Sequence, residues 1–599
     1  MLVTAIDCPP TQQNLVYGVR HSLSGRRWVW RRGEDRVGLG IAQRLGVPEI
    51  VGRLLAARDV TVDAAADFLE PTLRALLPDP AVLIDMDAAA ERLARAVQRG
   101  ECVGVFGDYD VDGACSGALL AIVLRGLGCH VLNHVPDRLA EGYGPNAPAL
   151  LGLADRGAQL VVCVDCGTAA APALAALAGR ADVVVLDHHV SEGPPPPVLA
   201  TVNPNRLDDR SGLRSLCAAG VTFLACVGMV RVLRRSGFFA TRPEPDLLAL
   251  LDLVALATVC DVMPLTGLNR ALVRQGLRVL ARRERPGIAA LLEVAQARGR
   301  LDAHTLGYAL GPRINAAGRI SEAGLGLRLL LTDDAVEAMR LATELDAINR
   351  QRQAVEASML DEAYAEAAAQ AEAGHAVLLI AGAHWHPGVV GIVAGRLKER
   401  HNRPACVLGV SDGLAKGSGR SVPGHDLGGA VIAACQRGIL SAGGGHAMAA
   451  GFSLAADRLG AFHDFLDARL AAARLLPTAP DLPVEAALTV PGATTELGQS
   501  VARLSPFGRG NEEPVFVLPH VRITRAERIG SEGATIRAFV ADDGGGRLKC
   551  LLFRAGDGPL ARVLLDRSGA PLHLCGHLRA ESWNGVTSAG FFIADAAAP

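Results

Sequence analysis

Three short apolar runs in this chain stop abruptly on acid. VGVF (103–106) leads into Asp108, Asp110 and Asp112 of GDYDVDG, VVCV (161–164) leads into Asp165, and VVVL (183–186) leads into Asp187-His188-His189. Together with a run at 130–135 they alternate with Ala- and Leu-rich stretches of helical length. That alternation predicts βαβ units with a parallel sheet buried on both faces. Ligands of open parallel sheets lie beyond the carboxyl ends of the strands. Folding should therefore bring these carboxylates and imidazoles to one edge. A fourth element, DLVALATVCDVMPL (252–265), is apolar nearly all round and carries Asp261 near its end.

A single Asp after a strand is ordinarily a turn former or an N-cap. Four elements with the same terminal chemistry are harder to explain that way. Aspartates at alternate positions repel one another and resist desolvation, so either the turn is solvated or something positive sits among them. Hard oxygen donors with one or two imidazoles suit Mn²⁺ or Mg²⁺ rather than structural zinc. The carboxylates exceed the needs of one ion, which points to a two-metal arrangement for in-line attack at phosphorus. Cys163 and Cys166 are spaced C-x-x-C but no second pair follows, so a zinc or redox site is the weaker reading. The formal net charge of −2 announces no nucleic acid in bulk, so any basic footprint must be local.

Pattern divides the chain into an arginine-rich, then mixed helical N-terminal region (1–90), the parallel α/β region (91–332), and a helical spacer (333–374). Asp333 or Asp334 should cap the spacer and Gly374 should end it. A second α/β region rich in glycine turns (375–476), a linker LLPTAPDLP (475–483) and a region of short strands (484–599) follow. In the last of these, AFVADDGGGRLKCLLF reads as a hairpin and a small β-barrel fits best. No segment reads as a membrane span and the start lacks the features of a signal peptide, so a cytoplasmic protein is expected.

GDYDVDG, VDCG, LDHH and ATVCDVMPL resemble, in order, the successive motifs of the DHH phosphoesterase superfamily. HVPDRLAEGYG (134–144), GPRINAAGRI (311–320), WHPGVVGIVAGRL (385–397), KGSGRSVPGHDL (416–427), GGGHAMAAGF (443–452), LSPFGRGNEEPVF (504–516) and ESWNG (581–585) resemble its single-stranded-DNA exonuclease branch. The resemblance implies an α/β fold: a DHH-type parallel-sheet domain, a long helical linker, a smaller DHH-associated α/β domain that binds substrate, and an OB-like barrel.

It also implies that Asp110, Asp112, Asp165, His188 and Asp261 ligate two divalent ions, Mn²⁺ or Mg²⁺, with Asp165 as the bridge and Asp108 a ligand or just outside. Asp187 and His189 would work with Asp112 in catalysis, Asp187 fixing the imidazole that faces the scissile phosphate. Arg138, Tyr143, Arg313, Asn315 and Arg319 would meet the DNA backbone. Ser418 and Arg420, in a flexible glycine turn, and His446, in GGGH, would bind phosphate. Phe553, Trp583, Phe591 and Phe592 are stacking candidates on the barrel, and core packing is the better reading for at least half of them.

The implied activity is 5′→3′ hydrolysis of single-stranded DNA to 5′-mononucleotides in recombination and repair, by a monomer aided by a helicase and a single-strand-binding protein. The rivals are a pyrophosphatase or a cyclic-dinucleotide or nano-RNA phosphodiesterase of the same superfamily, and a non-catalytic DNA-binding scaffold. The region beyond 484 argues against the first group and the full acidic set against the scaffold. Two departures are Gly428-Gly429, expected to alter a helix start, and Cys163, expected only to pack.

Overall fold

In the computed structural model the described residues are 14–599 except 139, 192, 472–479, 531–532, 567–568 and 584. Residues 475–479 of the expected linker and the Trp583 side chain lie outside the described parts. The chain forms two compact units. One comprises Leu77–Leu476; the other is built from both chain ends, Met1–Leu76 and Pro477–Pro599. No helix among the described residues is long and apolar enough to cross a membrane.

The N-terminal region supplies strand β1 (Arg27–Trp30) and the amphipathic helices α1 (Asp35–Leu45) and α2 (Glu49–Ala56). The Leu77–Leu476 unit then begins with α3 (Met86–Arg99), which runs across residue 90 and shows that the arginine-rich region and the first α/β domain meet before it. Strands β2 (Cys102–Gly107), β3 (His130–His134), β4 (Leu160–Val164), β5 (Asp182–Leu186) and β6 (Ala200–Val202) form one sheet in the order β3-β2-β4-β5-β6. Every neighbouring pair in it is parallel. All five residues of β4 are buried, as a sheet covered on both faces requires.

After β2 the chain first adds β3 on one side and then crosses to place β4 on the other. The crevice beyond the carboxyl ends of β2 and β4 is therefore the topological switch point, where ligands of open α/β sheets bind. Helices α4 (Val111–Gly126), α5 (Ala218–Arg235), α6 (Leu251–Cys260) and α7 (Gly311–Ile320) surround it.

The expected spacer is one 38-residue helix, α8 (Ala335–Glu372), capped by the Asp334 side chain. Beyond it strands β7 (Leu378–Ala383), β8 (Ala405–Ser411), β9 (Leu414–Arg420), β10 (Ala442–His446) and β11 (Ala449–Ala455) make a mixed sheet, with α9 (Val390–His401) and α10 (Leu427–Gln436) packed on it. Helix α10 starts at Leu427 despite Gly428 and Gly429. A side chain at Gly428 would strike the His446 backbone at 2.7 Å, and the Gly429 N–H is capped by Asp426.

The C-terminal strands are β12 (Asp481–Val484), β13 (Ala486–Ala487), β14 (Phe516–Ile529), β15 (Thr535–Ala541), β16 (Arg547–Phe553), β17 (Leu572–Trp583) and β18 (Val586–Ala597). β14 pairs with both β15 and β17, and β16 pairs with β18, so the ladders run β14-β15-β16-β18-β17 and return to β14, as in an OB fold.

The N-terminal region is stitched into this barrel. β1 lies parallel to β12, and Ile41, Val51, Leu54 and Leu55 share a core with Phe516, Leu518, Leu574 and Phe591. Trp28 is fully buried among Val16, Val484, Val517 and Cys575, and its indole N–H donates to the buried Asp595 carboxylate at 2.9 Å. Trp28→Ala should therefore destabilise the unit of the two chain ends by about 3–5 kcal/mol. Calorimetry should show its transition moved down; an unchanged transition would count against this account of the core.

Candidate metal centre and phosphate-binding face

The carboxylates meet at the switch point. Asp108 leaves the end of β2 and is buried. Asp110 caps α4, its Oδ1 accepting from the N–H groups of Asp112 (2.9 Å) and Gly113 (3.1 Å). The bland N-cap reading is thus correct for one of its oxygens. Asp112, in the first turn of α4, is 1% exposed. Its two oxygens accept from Ala218 N–H (2.7 Å) and Ala219 N–H (2.9 Å) at the start of α5. A carboxylate on one helix therefore satisfies the open N-terminus of another.

Asp165 ends β4 in the left-handed region at φ 61°, a conformation an Asp tolerates at a cost when neighbours enforce it. Asp261 terminates α6. His188 Nε2 lies 3.3 Å from Asp165 Oδ1, 3.5 Å from Asp261 Oδ2 and 3.7 Å from Asp112 Oδ2.

Donor atoms fall into three groups, each within 4.8 Å: Asp108, Asp110 and Asp165; Asp112, His188 and Asp261; and Asp165, His188 and His189. Asp165 and His188 each belong to two of them. Asp108 Oδ1, Asp165 Oδ1 and His188 Nε2 are buried with no hydrogen-bond partner among the described residues. Buried polar atoms are rarely left so, and a set of oxygens with one imidazole is what Mn²⁺ or Mg²⁺ takes.

The electrostatics agree. Burial, then the Asp110 charge, pushes the Asp108 carboxyl up to about 8. Burial also raises Asp165, reinforced by Asp112 and Asp110, and raises Asp112 against the opposing pull of His188. Burial lowers His188, keeping its imidazole neutral and free to ligate. Cations among these groups would remove the repulsion.

A hydrogen-bonded frame holds the Asp-His-His turn. Asp187 is buried and accepts from the His188 N–H (2.7 Å), from the His189 N–H (3.1 Å) and Nδ1 (2.9 Å), and from the Thr168 N–H (3.0 Å) and hydroxyl (2.6 Å). Burial alone would raise its carboxyl, but His189 and Thr168 hold it below the usual range. Burial lowers His189, yet Asp187 lifts the imidazole to about 9. Asn203 donates to Thr168 Oγ1 and to the His189 carbonyl, both at 2.8 Å, and Asn205 donates to the His188 carbonyl at 2.6 Å. Sequence reasoning missed Thr168, Asn203 and Asn205. The two asparagines follow β6 as the aspartates follow β2, β4 and β5, so the same strand-end rule could have found them.

A basic face adjoins the acidic one. The Arg138 guanidinium lies over the Tyr109 ring at 5.0 Å. Arg319 donates to the Gly388 carbonyl at 3.1 Å, and burial followed by repulsion from Arg138, Arg352 and Arg420 lowers it to about 10. Burial and then Arg138 lower Arg420 as well. Arg138, Arg319 and Arg420 have no carboxylate ion pair among the described residues, and the three guanidiniums repel one another. Gly318 and Gly388 permit this assembly: a Cβ on the first would meet Tyr109 O at 2.6 Å and on the second Arg319 O at 2.1 Å. His386, also missed, sits beside Arg138, its imidazole lowered by burial and then by that arginine. Tyr143 is half-exposed, its hydroxyl 3.2 Å from the His189 ring nitrogens.

Several expected phosphate contacts are placed differently. Arg313 is engaged by Asp346 and the Ala309 carbonyl. Asn315 accepts from the Val111 N–H at 3.1 Å, bracing α4. KGSGRS is no flexible turn. Ser418 and Arg420 lie on β9, paired on both sides with β8 and β11, so its backbone N–H groups are committed to the ladder. Its glycines are packing sites: a Cβ at Gly417 would meet Leu408 at 2.6 Å and one at Gly419 would meet Leu427 at 2.6 Å. GGGH is likewise strand, β10, ending at the exposed His446. On the barrel Phe591 is fully buried, Phe592 nearly so beneath Arg579, and Phe553 is 56% exposed.

Comparison with known proteins places these parts in families. Residues 102–258 match the DHH family N-terminal domain, 373–472 the DHHA1 domain and 484–595 the RecJ OB domain. The single-stranded-DNA-specific exonuclease RecJ of Dickeya dadantii is 39% identical over 78% of this chain and 83% of its own. Crystal structures of RecJ from Thermus thermophilus are similar too. The complex with Mn²⁺ gives a TM-score of 0.78 at 30% identity over 94% of this chain and 78% of that one. The complex with Mg²⁺ gives 0.72 at 29% over 94% and 77%.

Two outcomes follow from the geometry. Thr168→Val removes a hydroxyl donor behind the Asp187–His189 pair without touching the cluster. It should cut metal affinity or turnover roughly 10- to 100-fold, with the far-UV spectrum unchanged. Mn²⁺ at a hundred times its dissociation constant should stabilise the protein by about 2.7 kcal/mol. In a thermal-shift titration that gain should vanish in Asp165→Asn.

Proposed function

The chain belongs to the RecJ family of DHH phosphoesterases, and from that premise we propose that it is a single-stranded-DNA-specific exonuclease that works 5′→3′ and releases 5′-mononucleotides in recombination and repair. The observation that carries the reading is the juxtaposition of two linked sets of mostly buried donors with three guanidiniums that have no carboxylate ion pair among the described residues. The first suits two divalent cations and the second suits the phosphates of a single strand.

Asp108, Asp110 and Asp165 would hold one Mn²⁺ or Mg²⁺, and Asp112, His188 and Asp261 the other, with Asp165 between them. Bound there, the ions supply Lewis-acid polarisation of the phosphoryl oxygens and offset the charge that grows during in-line attack. The remaining work belongs to the chain. Asp187 holds the His189 Nδ1 proton, which turns Nε2 toward the phosphate, and Tyr143 adds a hydroxyl at the same place. Arg138, Arg319 and Arg420 orient the backbone, with Ser418 beside Arg420 near the start of α9. Phe553 offers an exposed ring to bases. Within the Leu77–Leu476 unit the residues up to 332 serve chemistry, 333–374 act as spacer and 375–476 bind substrate, while 484–599 bind nucleic acid. The protein acts as a cytoplasmic monomer, with a helicase and a single-strand-binding protein supplying and protecting the strand.

The test is digestion of 5′- and 3′-labelled single strands with Mn²⁺. The 5′ label should appear at once as mononucleotide and the 3′-labelled strand should shorten progressively. Asp110→Ala and Asp165→Ala should abolish both. Cleavage of pyrophosphate or a cyclic dinucleotide in place of DNA would overturn the substrate assignment. In metal-free buffer Arg138→Gln should weaken binding equally for all sequences and reduce the slope of log K against log salt by about 0.7, the share of one phosphate on a single strand.

A further inference from the structure

The segment RRWVWRR (26–32) is the densest aromatic and basic stretch of the N-terminal region, and the catalytic reading leaves part of it unused. Three of its arginines are structural: Arg26 pairs with Asp595, Arg27 with Asp481, and Arg31 with Glu485 and Glu512. Trp28 is core. Trp30 and Arg32 are left. The Arg32 guanidinium is exposed, lies over the Trp30 ring at 4.4 Å, and has no carboxylate ion pair among the described residues. Arg20, also exposed, has none either.

Trp30 is one member of a row of rings. Its centroid is 6.4 Å from that of Tyr17. Tyr17 stacks on His573 at 4.8 Å with planes 25° apart and meets His520 edge-on at 6.3 Å. His573 is 2% exposed and Tyr17 is 45% exposed, so the imidazole forms a floor and the phenol ring a surface. Two residues of the row sit in the left-handed region, Tyr17 at φ 47° and His520 at φ 51°. For non-glycine residues this is strained backbone, which tends to mark functional sites. His520 lies where the register of β14 against β17 shifts between Leu518 and Val521, and such irregularities re-aim side chains. It is fixed there by its N–H, which donates to His573 Nδ1 at 3.1 Å.

We propose that Tyr17, Trp30 and His520, with Arg32 over Trp30 and Arg20 three residues beyond Tyr17, form a second single-strand contact, a platform on which unpaired bases stack while the arginines meet the phosphates. The exposed Tyr17 and His520 rings, with the partly buried Trp30 beside them and His573 beneath, suit the faces of bases of any sequence. Arg20 and Arg32, which have no carboxylate ion pair among the described residues, offer guanidiniums that a polyanion complements. The platform lies on the seam of β1 with the β14–β17 side of the barrel, at the end of β17 away from the β17–β18 turn. The inference rests on the exonuclease reading for its occupant.

Binding of a labelled single-stranded oligonucleotide to the full chain is measured in EDTA, with and without abasic sites replacing the bases. Tyr17→Ala and Trp30→Ala should each weaken binding roughly tenfold and shrink the preference for strands with bases over abasic strands. Tyr17→Phe should restore both. Arg32→Gln should lower the salt slope by about 0.7. A 5-iodouracil strand should crosslink to Tyr17 or Trp30. Unchanged affinity and base preference in both alanine variants, with no crosslink, would overturn the platform. A wild-type chain that degrades single strands while these results are negative sinks the platform alone, whereas a wild-type chain that neither binds nor degrades them sinks the exonuclease reading with it.

Discussion

Mutual repulsion of buried carboxylates is the constraint on which the catalytic unit depends. Asp108, Asp112, Asp165 and Asp187 are each 4% exposed or less, and no hydrophobic packing compensates charges held so close. The chain answers in two ways. Some oxygens are satisfied from within: Asp112 by the N-terminus of α5 and Asp187 by Thr168, His188 and His189. Others, on Asp108 and Asp165, have no hydrogen-bond partner among the described residues. The first group rigidifies the pocket, and the second makes it a cation site.

The same division explains why neighbouring residues of one motif play different parts. Asp187 has its oxygens filled by donors from its own turn and from Thr168, so it positions His189. His188 points Nε2 at three carboxylates, while His189 lies 45% exposed beside Tyr143. The Asp187 carboxylate on His189 Nδ1 and the three carboxylates around His188 Nε2 separate the two imidazoles.

Charge of the opposite sign is managed by geometry. Arg319 is held against Gly388 and within repulsive reach of Arg138 and Arg420, so helix α7 and the mixed sheet carry a basic face beside the acidic pocket. A chain with a net charge of −2 thereby carries both an acidic pocket and a basic face. Bulk charge says nothing of either, because it sums the two signs without regard to where they lie.

Sequence by itself determined the parallel sheet, the strand ends bearing Asp108, Asp110, Asp112, Asp165 and the Asp-His-His turn, the long helix capped by Asp334, and the hairpin of the barrel. Each is a local pattern, with the chemistry written within a few residues of the strand or helix that presents it. Tertiary structure decided the rest. KGSGRS reads as a turn by composition, yet it is a central strand because its glycines admit Leu408 and Leu427. Arg313 and Asn315 read as phosphate contacts from the sequence, and folding gives Arg313 an ion pair with Asp346 and Asn315 Oδ1 the Val111 N–H. The arginine-rich start reads as a separate region, yet β1 pairs with β12 some 454 positions away. Local pattern registers which residues can form an element, but which partner an exposed strand edge or a guanidinium finds depends on surfaces brought together only by the folded chain.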